Sequence, residues 1–299
     1  MLVYSSRPGQ LANCLFYSSH FIFFALEQRL KVYLPIFMDC GYGRYFKGTS
    51  RGCVPAFPAP AEPSPSCPAV TAKLFYKTCY WTSLVVHRSG LSNRLVQTLV
   101  SSYNTGEADL AQPELEARVK RANTTFFVGP TFRYNRNDPF ETHSAVLRSY
   151  FEPVDGVQRR VNEYLRNLPQ HPNRLLLGVH IRRGDYRTWS GGQYFYDDEV
   201  YLQKLREAAA LFPNRSLQIV LSSNEPVNLG LYRKAFPQTR LAIGLMAEDL
   251  LLLSKCDYLI GPPSTYSCWA SYYGRVPLLF LRRPDQPVRK EDFLVRPRF

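Results

Sequence analysis

Two arginines stand side by side in His180-Ile181-Arg182-Arg183-Gly184-Asp185-Tyr186, directly after the apolar run that starts at Leu175. Adjacent guanidinium groups supply fixed positive charge and forked donors, which suits a diphosphate. Gly184 lets the backbone turn tightly. Asp185 can hold an arginine in place or receive a proton. The plainer reading is a salt-bridged turn, since structural ion pairs are common. The residues alone leave both open. Arg183-Gly184-Asp185 is also a cell-adhesion tripeptide, but chance supplies that triplet often, and here it follows a buried strand.

A second feature runs from Glu248 and Asp249 through Ser254, Cys256 and Gly261 to Ser264-Thr265-Tyr266-Ser267-Cys268-Trp269. It reads as helix, strand, Gly-Pro-Pro turn and a new helix. Ser264, Thr265 and Ser267 crowd the start of that last helix, where free N–H groups and the dipole favour an anion. Ser264 also fits a simple cap, worth about 1 kcal/mol. Trp269 and Tyr273 suit a core. A third feature, Gly9 to Phe16, forms the turn after the first strand. It is only loosely like a phosphate loop, lacking repeated glycines and a Lys-Ser/Thr pair. No Asp-x-Asp stands where a metal would be held. Asp197-Asp198 fits the N-terminal end of a helix.

These residues need a scaffold that brings strand ends together. Leu2–Tyr4 reads as a strand, Leu11–Leu30 as a helix buried on most sides, and Lys31–Pro35 as a second strand. That is the βαβ unit of a parallel sheet. A Pro-rich stretch near 53–68 reads as an irregular insertion unable to join a ladder or a helix interior. Residues 71–135 give no firm elements. Ala145–Leu168 reads as one helix closing the first half. From Leu175 onward, strands expected at 175–181, 217–221, 241–243, 258–260 and 276–281 alternate with helices at 198–211, 226–236, 247–254 and 265–273. This alternation is a doubly wound α/β pattern, which binds nucleotides at the carboxyl ends of its strands. The expected division is 1–170 and 174–299.

The chain has 299 residues, 45% apolar and 20% charged, with a net charge of +13. The size suits two folded domains rather than one. The charge favours an anionic partner. The basic residues are spread out, and the aromatic spacing of RNA-binding motifs is missing, so no nucleic-acid partner is expected. The seven cysteines include no C-x-x-C pair, so a zinc site is not expected. A bridge among Cys40, Cys53, Cys67 and Cys79 competes with reduced thiols. No signal peptide or membrane-spanning run is evident. The expectation is a cytoplasmic protein, soluble or peripherally associated with a membrane.

Taken together, Gly9–Phe16, His180–Tyr186 and Asp249–Gly274 resemble glycosyltransferase family 11, the α-1,2-fucosyltransferases. Their order and spacing fit nearly the whole chain. Phe132-Arg133-Tyr134 and Arg148–Phe151 are softer matches. Ala12, Cys14, Tyr266 and Cys268 depart from the family pattern, and Leu221–Glu225 lacks the aspartates of its Phe-Ser-Asp-Asp-like segment.

The resemblance implies two Rossmann-like domains facing across a cleft (GT-B type), with GDP-fucose as donor and no cofactor or metal. It implies inverting transfer to a glycan with a terminal galactose. Arg182, Arg183 and Asp185 are the implied catalytic residues. His180, Tyr186, Asn13, Phe16, Asn224, Asp249, Ser264, Thr265 and Ser267 are the implied substrate-binding residues, with Asp249 reading the guanine edge. Three alternatives stand beside it: a fucosyltransferase of another linkage or acting on protein hydroxyls, a basic nucleic-acid-binding protein, and an inactive sugar-nucleotide-binding relative.

Overall fold

The computed structural model describes residues 1–299 except 7–8, 40, 62–67, 92, 103–105, 130 and 296–299, with the backbone alone of Ala69. The chain divides into two compact units, Met1–Val154 and Asp155–Phe299.

The first unit holds strands β1 (Leu2–Tyr4), β2 (Val32–Tyr33), β3 (Ala56–Phe57), β4 (Val96–Val100), β5 (Ala108–Asp109), β6 (Thr124–Val128) and β7 (Phe132–Arg133). Its main sheet runs β3-β2-β1-β6-β4. Every pair is parallel except β2 with β3. The expected βαβ start is present: helix Leu11–Gln28 connects β1 to β2 and is buried around most of its girth. Its rings join an aromatic core, with Phe21 4.4 Å from Tyr4 and 4.9 Å from Phe127.

The Pro-rich stretch differs from expectation, because β3 lies between Pro55 and Pro58 and pairs with β2. It is an edge strand, the place in a sheet where neighbouring prolines cost no ladder bonds. Helix Ala69–Arg88 fills part of the region that gave no firm element. Of the four cysteines considered for a bridge, Cys53 and Cys79 are thiols, while Cys40 and Cys67 lie outside the described residues.

The helix expected at 145–168 is two helices, Ser144–Tyr150 and Asp155–Arg166. Pro153 stands between them, and proline cannot continue a helix. The second of these helices belongs to the second unit, so the division falls before it rather than after it. Val157 and Val161 bury one face, and Arg160 Nε donates to Glu248 at 2.9 Å.

The second unit holds β8 (Arg174–Ile181), β9 (Ser216–Ser223), β10 (Arg240–Leu241), β11 (Tyr258–Gly261) and β12 (Leu278–Phe280). They form one parallel sheet in the order β10-β9-β8-β11-β12. Helices Asp198–Leu211, Leu229–Ala235, Met246–Leu253 and Thr265–Gly274 complete the alternation expected from sequence. β8 is buried from Leu175 to Ile181, and is apolar there except at His180, because both its faces are covered. Leu175, Leu177, Val179 and Ile181 join Tyr201, Leu205 and Ile219 in one core. Among the described residues, no helix is long and apolar enough to cross a membrane.

Candidate functional site

β8 lies between β9 and β11, so the chain winds one way from β8 and later the other. In sheets of this kind the reversal leaves a crevice beyond the carboxyl ends of the two central strands. Those ends are His180-Ile181-Arg182 on β8 and Gly261-Pro262-Pro263 on β11. The two strongest sequence features therefore meet at one place.

Beyond β11 the chain enters helix Thr265–Gly274. Ser264 caps it, its hydroxyl accepting from the Tyr266 N–H at 3.2 Å. Ser267 Oγ and His180 Nδ1 share a hydrogen bond of 2.7 Å between the two strand ends. Gly261 makes this approach possible: a Cβ there would lie 3.0 Å from Ser267 Oγ and 3.2 Å from His180 Cβ. The His180 ring also lies against Tyr266, with centroids 5.0 Å apart. Burial, then the Arg182 charge, hold the His180 pKa down at about 3. The imidazole is neutral at physiological pH and serves as a hydrogen-bonding group, not a cation.

The two arginines part company. Arg182 Nη2 reaches Asp185 Oδ1 at 2.9 Å and Oδ2 at 3.0 Å, and its guanidinium carbon lies 5.7 Å from the Tyr186 ring centre. Asp185 is exposed. The Arg183 side chain turns into the unit and bonds to Asp198 Oδ1 at 2.7 Å, with 11% and 14% of the two side chains exposed. Arg183 Nη1 donates to the Pro226 carbonyl at 3.4 Å, and Tyr232 OH donates to the same Asp198 oxygen at 2.9 Å. Arg183 is thus a structural ion pair in this fold, not a charge at the strand end as the sequence led one to expect. The period-two alternation of extended backbone sends neighbouring side chains to opposite sides.

Gly184 follows with φ +57° and faces Asn224 Nδ2, which a Cβ would approach to 2.9 Å. Asn224 Oδ1 accepts the Arg183 N–H at 2.7 Å. Asn224 therefore holds the turn in shape. Tyr186 is buried, and its hydroxyl donates to the Pro263 carbonyl, tying the motif to the Ser264 turn. Burial pushes its pKa up to about 12. Thr265 stands in the first turn of the capped helix.

Asp249 lies in helix Met246–Leu253 and is buried. Its carboxylate accepts from Gly244 N–H at 3.0 Å and from Ser222 Oγ at 3.2 Å, and Ser222 is the partner of His180 across the β8–β9 ladder. Burial raises its pKa to about 6 against the pull of those bonds. Asp249 thus fixes the loop after β10, and most of its acceptor capacity is spent there.

The remaining sequence candidates are in the first unit. Asn13 lies in helix Leu11–Gln28, its amide against Gly9, a glycine with φ +110°. Phe16 is buried, with its ring centre 5.6 Å from that of Phe140, so it packs as a core residue rather than as an open wall. Sequence reasoning missed Asp198 and Tyr232 as the partners of the buried arginine chain, and Ser222 as the link from His180 to Asp249. No local spacing signals any of them. Among the described residues, no group of three or more His, Cys, Asp or Glu is placed to hold a metal ion.

A sheet reversal flanked by a guanidinium and a capped helix start is a place for a phosphorylated ligand, and comparison with known proteins narrows the family. Residues 140–276 match the model of glycosyl transferase family 11. This is the family that the motifs resemble. The family 11 stretch contains His180–Tyr186 and all of Asp249–Gly274, while Gly9–Phe16 lies outside it.

No curated protein sequence matches the chain. Among solved structures, a mutant of Arabidopsis thaliana FUT1 in complex with GDP aligns over 99% of this chain and 73% of that chain, with 13% identity and a TM-score of 0.59. The fucosyltransferase NodZ from Bradyrhizobium aligns over 96% and 97%, with 15% identity and a TM-score of 0.54. POFUT1 in complex with GDP-fucose aligns over 58% of each chain, with 9% identity and a TM-score of 0.43. The first two likenesses show the fold: a mixed α/β protein built on parallel sheets.

Proposed function

We propose that the protein transfers L-fucose from GDP-fucose to a hydroxyl of a terminal galactoside, with inversion and an α-1,2 linkage. The observation that carries this reading is the meeting of the His180–Tyr186 motif with the Ser264-capped helix at the sheet reversal, through His180–Ser267 and Tyr186–Pro263, inside the family 11 stretch. In this reading the second unit holds the donor. NodZ is described as an α-1,6-fucosyltransferase and was soaked with GDP-fucose; the family 11 match is what favours the α-1,2 linkage here.

The chemistry follows from charge. As the sugar leaves, negative charge builds on the diphosphate. Arg182 and the N–H groups of the Ser264–Ser267 helix start are fixed in advance to receive it, so little reorganisation is needed during the reaction. No metal is assigned to this task. Asp185 holds Arg182 by both oxygens and is a positioning residue, not the base. His180, kept neutral, and Tyr186 fix the crevice walls. Asp249, through the loop Ile243–Leu245, shapes the guanine-facing rim.

The direct test is a thermal-shift series with GDP, GDP-fucose, GDP-mannose and UDP-galactose. GDP and GDP-fucose should raise the melting temperature, by about 3 kcal/mol of added stability at a hundredfold excess over Kd. UDP-galactose should not. A shift with the uridine sugar and none with GDP refutes the donor. Acceptor profiling with β-galactosides, followed by linkage analysis of the product, then tests the rest.

Donor binding should also fall with acid. Asp249 takes up a proton as pH drops through about 6, and its carboxylate then accepts less well from Gly244 and Ser222. The sign for stability runs the other way. A carboxylate whose folded pKa lies above its unfolded value adds stability as it protonates, so this loss of binding is not unfolding at Asp249. His180 opposes it, because the unfolded imidazole takes up a proton below about 6.5 that the folded one refuses. Melting temperature and GDP affinity measured together from pH 8 to 5 separate the two. Asp249→Asn should bind weakly at every pH and lack the transition near 6. A wild-type affinity flat across that range contradicts the role given to Asp249.

A further inference from the structure

Helix Ala69–Arg88 of the first unit is apolar on two sides, and the fold uses only one. Ala72, Tyr76 and Ser83 are buried, and the Ser83 carbonyl accepts from Thr98 Oγ1 of β4 at 3.1 Å. The opposite side carries Val70, Leu74, Trp81 and Val85. Steps of four, seven and four residues align them along one helix face. All four are exposed, Leu74 at 63% and Trp81 at 59%. An apolar stripe this long, open to water, marks an interaction surface.

Charge decides what kind. From residue 69 to 106 the sequence has no Asp or Glu, while Lys73, Lys77, Arg88 and Arg94 fall within it. These four are exposed. Lys73 and Lys77 run along one edge of the stripe, and their aliphatic stems can lie against it while the ammonium groups stay in the headgroup region. A helix with Trp and Leu on one face and lysines beside them has the composition of an element that lies in a membrane interface. A second copy of the chain would bring like charge against like. We infer that this face of helix Ala69–Arg88 is a docking surface for a lipid bilayer containing anionic headgroups. The inference is independent of the transferase reading.

The test uses the full chain with vesicles of phosphatidylcholine alone and of phosphatidylcholine with about a third phosphatidylserine. The protein should pellet with the anionic vesicles and be released by salt. Leu74→Glu with Trp81→Glu should lower partitioning by at least about tenfold. Lys73→Gln with Lys77→Gln should weaken binding to the anionic vesicles and leave the neutral ones unchanged. Both variants alter exposed side chains, so their melting temperatures and GDP shifts should match wild type, which shows that they fold. Equal partitioning to the two vesicle types, or no loss in the Leu74/Trp81 variant, overturns the proposal. So does a dimer that this variant dissolves, since the face would then belong to a second copy.

Discussion

Arg182→Ala is expected to lower turnover of GDP-fucose by about 10³-fold, within the range seen when a group stabilising transition-state charge is removed. Its guanidinium stands at the end of β8 with one face against Tyr186 and its nitrogen held by Asp185. Removing it leaves the growing diphosphate charge to the helix start alone. Arg182→Lys keeps the charge but loses the planar fork, so it should recover only part of the rate. The loss of stability should be smaller than for Arg183: the pair with exposed Asp185 contributes at most about 1 kcal/mol, and the rest is packing of the Arg182 side chain, 14% exposed, against Tyr186. Steady-state release of GDP in the presence of acceptor measures the effect. Turnover within a few-fold of wild type would remove Arg182 from the reaction.

Arg183→Ala is expected to do the opposite. It should destabilise the second unit by at most about 3 kcal/mol, the low end for a buried pair, because it leaves the part-buried Asp198 charge to Tyr232 and the Asn228 N–H alone. Turnover of the protein that stays folded should remain within about tenfold of wild type, since only packing near the site is disturbed. Denaturant unfolding at low temperature gives the first quantity, and turnover per folded molecule gives the second. A double variant, Arg183→Met with Asp198→Asn, removes the charge pair and keeps an acceptor for Tyr232. It should recover most of the lost stability. Full stability in Arg183→Ala together with lost turnover would reverse the two arginines' roles.

The second unit was legible because most of its strands are short apolar runs and they alternate with segments of helical pattern, with proline and glycine between them. The meeting of His180–Tyr186 with Ser264–Ser267 followed from the same alternation, because strand ends of a parallel sheet lie on one rim. The roles within the motif were harder to read. Treating Arg182 and Arg183 as a pair overlooked the alternation of extended backbone, which sets the two side chains apart. The partner that claims Arg183, Asp198, stands 15 residues on, and only the folded sheet brings it near. The break in 145–168 was readable at Pro153, which cannot continue a helix. Asp249 stood out in the sequence, but its bonds to Gly244 and Ser222 depend on how β9 and β10 deliver their loops, which no spacing records.

The hydrogen bond between His180 and Ser267 closes 87 residues of chain. β8 is the first strand of its unit to be made but stands at the centre of the finished sheet, so it waits for β11 before its second edge is covered. Long-range closure of this kind is slow compared with local helix formation. During synthesis the arginine motif therefore emerges long before the serine turn that completes it, and the rim they form together is absent until the last third of the unit is made. Until then the edge of β8 that will meet β11 is open to other strands, and this interval is when the chain is most exposed to aggregation.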